Sequence, residues 1–381
     1  MATPSPLSQL KPSRIAIVNE RWTAGATRAA KDLLHGLQSR HHVAYFPNGP
    51  QLSSTQQLDA LAHFQPDLVH LHSFYGDLPY TFLAKVANRY PTAFTLHDPR
   101  PLGDILLPCW NCQKFATCFS CPLIGHLKRF SLLKHHHFLS RLHKRRVHSQ
   151  LPASTTIISP SLWMDDRARH SELARLRTAQ IYNGVDLQLF SHDPLARQSL
   201  GIPENQPVLT FVAHHSGWSL DERKGIHILA KALTDFVLPR FPNLLLLAVG
   251  GGLVPNLPNL RPIGFVPPDQ LARFYSAANL FIAPSLADNL PYTILEAMAC
   301  STPVVASRVG GIPEQVVHDS TGRLFTPGSA EDLGKNIIDL LENPQLAAAM
   351  GLAARTRAAS LFSLADSLAQ HASLFASMLA P

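Results

Sequence analysis

Apolar residues in this chain gather in short runs separated by segments of helical spacing. In the first half, "RIAIVN" (14–19), "HVAYFPN" (42–48), "LVHLHS" (68–73), "TAFTLHD" (92–98) and "TIISPS" (156–161) read as strands, with helices over 25–40, 55–63 and 79–90. The pattern then restarts. Strands are expected at "PVLTFVAHH" (207–215), "LLLLAVGG" (244–251), "LFIAPS" (280–285) and "PVVAS" (303–307), and helices over 225–237, 268–278, 291–299 and 330–343. Strands apolar on both faces and alternating with helices imply parallel sheets covered by helices. The alternation occurs twice, which predicts an α/β protein of two Rossmann-like domains.

The 381 residues suit two domains, because single cores stop growing near ~250–300 residues. "NGVDLQLF" (183–190) marks the joint and divides the chain into an N-terminal domain, 1–184, and a second domain, 185–362. A last helix over 363–380 carries Leu364, Leu368, Phe375 and Leu379 on one face. That face must pack on something, and residues 363–381 are expected to cross back to the first domain.

Composition adds limits. At 46% apolar and 15% charged residues, a packed globular protein fits and wholesale disorder does not. "MATPSPLSQLKPSR" lacks the apolar core of a signal peptide, and no run reaches the ~18 apolar residues of a membrane span. A cytoplasmic location follows, with the inner face of the membrane as a place of peripheral contact.

The net charge of +7 is unevenly placed: between Asp104 and Asp165 there is no acid, but eight Lys/Arg and six His. A field of that sign attracts phosphates, anionic lipid or nucleic acid. The stretch "HLKRFSLLKHHHFLSRLHKRRVHSQ" (126–150) is helical in spacing. It reads either as a surface helix drawn to anionic membrane or as an ordinary amphipathic helix with a basic outer face. Nucleic acid is not expected as a partner, since no recognition module accompanies the charge.

Open parallel sheets bind ligands at the carboxyl ends of their strands. Asn19, Ser73, His97 and Ser161 end strands in the first half, and His215, Gly250 and Ser285 do so in the second. Two such rims facing each other would form a cleft between the domains. The most unusual rim segment is "APSLADNLPYTILEAMA" (283–299), in which Asp288 and Glu296 bracket Pro291. Asp288 and Asn289 can cap a helix starting at Pro291, and the free N–H groups of that helix tip suit a phosphate. Glu296 lies among apolar neighbours, where an unpaired charge is costly, so a partner is expected.

Arg223 and Lys224 stand just before a helix beginning near Gly225. They read as a solvated pair or as the cations that a diphosphate leaving group needs as its charge develops. Gly25, between the first strand and helix, permits close backbone approach at another helix tip. His97 at the end of its strand is structural or ligand-facing. "CWNCQKFATCFSC" holds Cys109, Cys112, Cys118 and Cys121 as two C-x2-C pairs. Four thiolates can close a tetrahedral zinc site; free thiols or a redox-labile disulfide are the alternatives.

The segment "SLADNLPYTILEAMACSTPVVASRVGGIPEQV" resembles the signature of family 4 glycosyltransferases, retaining enzymes of the GT-B fold. The branch it looks most like builds exopolysaccharides or cell-surface glycans. "WTAGATRAA", "TLHD", "PSLWMDDRARHS", "IYNGVDLQLF", "DERKGIHILAKAL" and "LARFYSAANLFIAPS" extend the resemblance, in order, over most of the chain. The resemblance implies that Glu296 holds the ribose hydroxyls of a nucleotide. Asp288 takes the place of the family's first glutamate, whose carboxylate meets the hydroxyls of the donor sugar; it is one methylene shorter. The backbone at Asn289 and Leu290 would meet the phosphates or the sugar, and His97 would face the reacting sugar. Arg223 would replace an arginine that the family often carries at the end of the preceding strand. Ser301 stands where the family usually has glycine.

The implied activity is retaining transfer of a sugar from a nucleotide-diphosphate sugar to a hydroxyl of a glycan or lipid-linked acceptor. No cofactor is required in that reading, the cysteine cluster being the candidate for structural zinc. The rivals are a nucleotide-sugar epimerase on the same frame and a non-catalytic member that binds glycan or lipid.

Overall fold

A computed structural model describes residues 12–20, 24–48, 53–74, 78–102, 131–213, 222–250 and 257–380. The chain divides into two compact units, one formed by Met1–Tyr182 with Asp366–Pro381, the other by Asn183–Ala365.

The first unit is built on six parallel strands: β1 (Arg14–Glu20), β2 (His42–Asn48), β3 (Leu68–Leu71), β4 (Thr92–Thr95), β5 (Thr156–Ser159) and β6 (Arg177–Gln180). Their order is β2-β1-β3-β4-β5-β6. The connecting helices are α1 (Ala24–Leu37), α2 (Ser54–Phe64), α3 (Thr81–Ala87), α4 (Ser131–Ser149) and α5 (Leu162–Arg169). α2 starts with a reciprocal cap: Ser53 Oγ accepts from the Gln56 N–H, and Gln56 Oε1 accepts from the Ser53 N–H. Each bond satisfies a donor that the first turn would otherwise leave without a partner.

The second unit repeats the plan with β7 (Val208–Val212), β8 (Leu245–Val249), β9 (Leu260–Gly264), β10 (Leu280–Ala283), β11 (Val304–Ser307) and β12 (Gly322–Phe325). All pairings are parallel, in the order β12-β11-β10-β7-β8-β9. Its helices are α6 (Ala196–Ser199), α7 (Ile226–Ala232), α8 (Pro268–Ser276), α9 (Tyr292–Ala299), α10 (Ile312–Gln315), α11 (Ala330–Glu342) and α12 (Pro344–Leu361). Where the chain enters and leaves this unit, Val185 and Ser363 form a parallel bridge.

The last helix, α13 (Leu364–Leu379), places Ala372, Leu374 and Phe375 in the core beneath β1, with Ile15, Ile17, Leu33, Leu37 and Ile158. Its approach to α1 is close: a Cβ on Gly36 would meet Leu368 Cδ1 at 2.4 Å. Burying a side chain such as Phe375, which is 0% exposed, contributes about 1.5–3 kcal/mol.

Three strands were not expected from the pattern: β6, β9 and β12. All three lie at sheet edges. β6 and β9 are partly exposed throughout, and β9 contains Pro262. An edge strand has less surface to bury, so it need not show a continuous apolar run.

Candidate active site

In each sheet the chain reverses its direction of travel at one place, between β1 and β3 in the first unit and between β7 and β10 in the second. Loops leaving the carboxyl ends of the strands diverge there and leave a crevice. Asn19 closes β1 and Gly25 follows it, and Arg223, Lys224 and Asp288 follow β7 and β10, at these two places, whereas His97 follows the neighbouring β4; each is described within its own unit.

In the second unit, Arg223 and Lys224 follow β7 on a single 3-10 turn, Glu222–Lys224. Asp288 to Leu290 follow β10. Lys224 Nζ lies 2.7 Å from Asp288 Oδ2, which also accepts from Ser285 Oγ at 3.3 Å. Asp288 Oδ1 accepts from the Asn289 N–H at 3.2 Å. The two loops are also joined through the backbone, the Leu286 N–H donating to the Arg223 carbonyl at 2.6 Å.

Two glycines allow close approaches to the loop after β10, Gly225 from the loop after β7 and Gly310 from the loop after β11. Gly225 has φ +68°, and a Cβ there would stand 1.9 Å from the Pro284 carbonyl oxygen. Gly310 has φ +55°, and its Cβ would stand 1.7 Å from the Asp288 carbonyl oxygen. Both the left-handed backbone and the missing side chain are therefore needed. The neighbouring carbonyls are held as well: Asn289 O accepts from the Gly311 N–H at 2.8 Å, and Leu290 O accepts from Asn183 Nδ2 at 3.2 Å.

The expected cap is not what forms. The N-cap of α9 is Pro291, with no side-chain cap bond, because the Asp288 carboxylate is turned to Lys224 instead. The start of α9 is the positive end of its helix dipole. On this helix Glu296 is 5% exposed and has the expected partner: Tyr275 Oη donates to Glu296 Oε2 at 2.7 Å. Beyond it, burial and the negative charge of Glu296 push the Cys300 thiol up to about 12. The buried free cysteine is thus held as an unreactive thiol.

Ser301, the departure from glycine, sits at φ +60°. The Thr302 N–H donates to Ala297 O and the Ser301 N–H to Met298 O. This is the paired bond pattern of a helix end that calls for a left-handed residue, which explains why glycine suits the position.

In the first unit, His97 follows β4 and Asn19 closes β1. Asn19 Nδ2 donates to Thr27 Oγ1 in α1 at 2.9 Å, which ties the strand to the helix turn that carries the exposed Gly25. His97 Nε2 lies 2.7 Å from Nδ1 of His72, a residue just past β3. Burial lowers the His97 pKa to about 4, against the opposing pull of the Asp98 charge. Asp98 forms an ion pair with Arg100 at 2.7 Å, and the Arg100 carbonyl accepts from Lys144 of α4 at 2.7 Å.

Four residues of the two sites were not singled out as such: Tyr275, His72, Asn183 and His371. The "HLHS" stretch did carry a signal, since His70 and His72 share one face of a strand inside an apolar run. Cys109, Cys112, Cys118, Cys121 and His215 lie outside the described residues. Among those described, no group of acids, cysteines and histidines could hold a metal ion, and no helix is long and apolar enough to cross a membrane.

Two Rossmann-like units, each on a six-stranded parallel sheet, make this a GT-B fold. Among solved structures, sucrose-phosphate synthase from Thermosynechococcus elongatus is similar with a TM-score of 0.75 at 21% identity, over 95% of this chain and 98% of that one. Anabaena HepE in complex with UDP and glucose is similar with a TM-score of 0.68 at 22% identity, over 96% and 100%. The family model for group 1 glycosyl transferases matches residues 193–357, and that for Glycosyltransferase Family 4 matches residues 23–189. The chain belongs to the group 1, family 4 glycosyltransferases.

A curated relative, the D-inositol 3-phosphate glycosyltransferase of Segniliparus rotundus, is 34% identical over 45% of this chain and 40% of its own length. The GDP-mannose-dependent alpha-(1-6)-phosphatidylinositol monomannoside mannosyltransferase of Mycolicibacterium smegmatis is 32% identical over 45% and 49%. The matched region thus spans about half the length of these curated relatives or less.

Proposed function

We propose that this protein is a retaining, metal-independent glycosyltransferase that moves a sugar from a nucleotide-diphosphate sugar to a hydroxyl of a glycan or lipid-linked acceptor. The observation that carries the proposal is the grouping after β7 and β10: Lys224 against Asp288, beside the N-terminus of the helix that also holds Glu296. The HepE structures with UDP and with UDP-glucose support a nucleotide-sugar donor, as does the GDP-mannose dependence named for the mycobacterial relative.

In the reaction, the bond from the anomeric carbon to the leaving phosphate oxygen breaks. A bond to the acceptor oxygen forms on the same face, and the acceptor proton passes to the departing phosphate. Arg223, Lys224 and the first amides of α9 stabilise the charge that develops. Because Lys224 is already held by Asp288 and the start of α9 by the fold, the diphosphate can leave without a divalent ion. Glu296 receives the ribose hydroxyls, Asp288 the sugar hydroxyls, and the backbone at Asn289 and Leu290 the phosphates. On the first unit His97 meets the sugar, and Gly25 lets the donor or acceptor approach the start of α1.

The acceptor side includes a contact with anionic membrane. α4 exposes Leu142 together with Arg145 and Arg146, next to the exposed Leu139. Apolar residues interleaved with cations favour a charged lipid surface.

Thermal-shift measurements with UDP, GDP and their sugars test the donor assignment, since a ligand that binds the folded state raises its apparent stability. One nucleotide class should raise the midpoint in wild type, and Glu296→Ala should abolish the rise. An unchanged rise in the variant would remove Glu296 from the ribose role. Transfer of labelled sugar to a membrane extract in the presence of EDTA tests the reaction itself.

A further inference from the structure

Four histidines form a continuous row in the first unit. His371 of α13 has its ring centroid 5.9 Å from that of His70 on β3. The His70 ring lies 4.2 Å from that of His72, and His72 lies 5.0 Å from His97. The first three are buried, at 7%, 0% and 1% exposure. Burial lowers the pKa of all four, and their mutual repulsion adds to the effect at His70 and His72. At neutral pH each ring is therefore neutral and carries a single proton, on one nitrogen or the other.

The contact at the end of the row restricts where those protons sit. The His72 and His97 rings are 18° apart in plane, and Nδ1 of His72 is 2.7 Å from Nε2 of His97. Near-parallel rings that meet through two nitrogens lie edge to edge, so an N–H on one points along the lone pair of the other. Two arrangements satisfy this geometry. If His97 donates, His72 must carry its proton on Nε2. If His72 donates from Nδ1, its Nε2 is an unprotonated acceptor.

The surroundings of His72 separate the two. Its Nε2 is buried and has no hydrogen-bond partner among the described residues. A buried N–H without an acceptor is rarer and more costly than an acceptor left without a donor. The proton of His72 therefore belongs on Nδ1, and His97 is left with its proton on Nδ1 as well.

We infer that His72 is a positioning residue: its Nδ1–H donates to His97 Nε2 and fixes His97 in the Nδ1–H form, so that His97 offers a hydrogen-bond donor, and not a base, to an oxygen of the transferred sugar. The inference rests on the reading above that His97 meets that sugar. Its consequence for the reaction is that the proton of the acceptor does not go to His97. This agrees with the departing phosphate oxygen as its destination, as in the reaction proposed above.

The test is nitrogen NMR of the full-length protein carrying labelled histidine, in the absence of ligand, with His72→Phe and His72→Asn as variants. In wild type the His97 signals should show Nδ1 protonated and Nε2 not. His72→Phe should move the proton to Nε2 and lower kcat by roughly 10- to 100-fold, the loss expected when one hydrogen bond to the sugar is removed, with the donor KM little changed. His72→Asn places an N–H where Nδ1 stood and should restore most of the signal pattern and of kcat. A protonated His97 Nε2 in wild type would overturn the inference, even if no variant folds. So would a His72→Phe enzyme with unaltered tautomer and unaltered kcat. The NMR measurement does not depend on turnover, so a wild-type protein that transfers no sugar would count against the proposed reaction and leave the tautomer question to be decided separately.

Discussion

Lys224 and Asp288 form an ion pair, Nζ to Oδ2 at 2.7 Å, across 64 positions of sequence. Both side chains are mostly covered, at 29% and 16% exposure. The pair presets an ammonium group beside the tip of α9 before any ligand arrives. Its position depends on Gly225, whose missing side chain lets the two loops meet, and on Gly310, which lets the loop after β11 approach Asp288.

Removing that ammonium should weaken the stabilisation of the leaving diphosphate. Lys224→Met is expected to lower kcat by roughly 10²- to 10³-fold, the loss typical of one prearranged donor to a developing charge. Steady-state kinetics with a saturating donor would check it. A variant with kcat near wild type would separate Lys224 from the leaving group.

Tyr275→Phe deletes the hydroxyl that donates to Glu296 Oε2. The carboxylate is buried, so losing a partner should cost about 1–3 kcal/mol of stability. Urea unfolding should show that loss. The nucleotide-induced thermal shift should shrink as well, because the carboxylate is less firmly held.

Ser301→Gly should stabilise the protein. A residue with a Cβ held at φ +60° is strained by about 1–2 kcal/mol relative to its right-handed form, and glycine is not. Part of that gain is offset by the greater freedom of glycine in the unfolded chain, which leaves a net rise of about 0.5–1 kcal/mol. The urea midpoint should increase with activity unchanged, since Ser301 follows the far end of α9 from the site.

Stability should fall with acid over a defined range. His97 and His371 are lowered to about 4 and His148 to about 3, chiefly by burial. In the unfolded chain they take up protons near pH 6.5, where the folded protein does not. Their contribution is therefore complete above pH 6.5 and is lost as pH falls towards 4, by up to about 1.4 kcal/mol per pH unit for each group. Melting curves between pH 7 and pH 4 would show the decline, and His371→Asn should make it shallower.

The central strands were legible because strands buried on both faces must be written as apolar runs. Hence β1, β3, β5 and β10 stand out, and the edge strands β6, β9 and β12 do not. The candidate site was legible where chemistry departs from its surroundings: two acids in an apolar segment, and a cation pair before a helix. Its supporting residues were not. Tyr275 reads as one more core aromatic, and only the folded chain brings it to Glu296. The left-handed turn at Ser301 was hidden for the opposite reason, since serine gives no hint of a backbone that glycine would have announced. Pairing could mislead too: Asp288 looked like a cap, but its carboxylate turned to a lysine in another loop.

The core beneath β1 draws on residues near both extremes of the chain, with Ile15 and Ile17 on one side and Phe375 on the other. During synthesis on the ribosome, the early strands must wait for more than 350 further residues before this layer can close. The second unit is uninterrupted in sequence and can finish first. Chains ended after residue 365 and released should thus present a folded later half and an open, chaperone-binding earlier half.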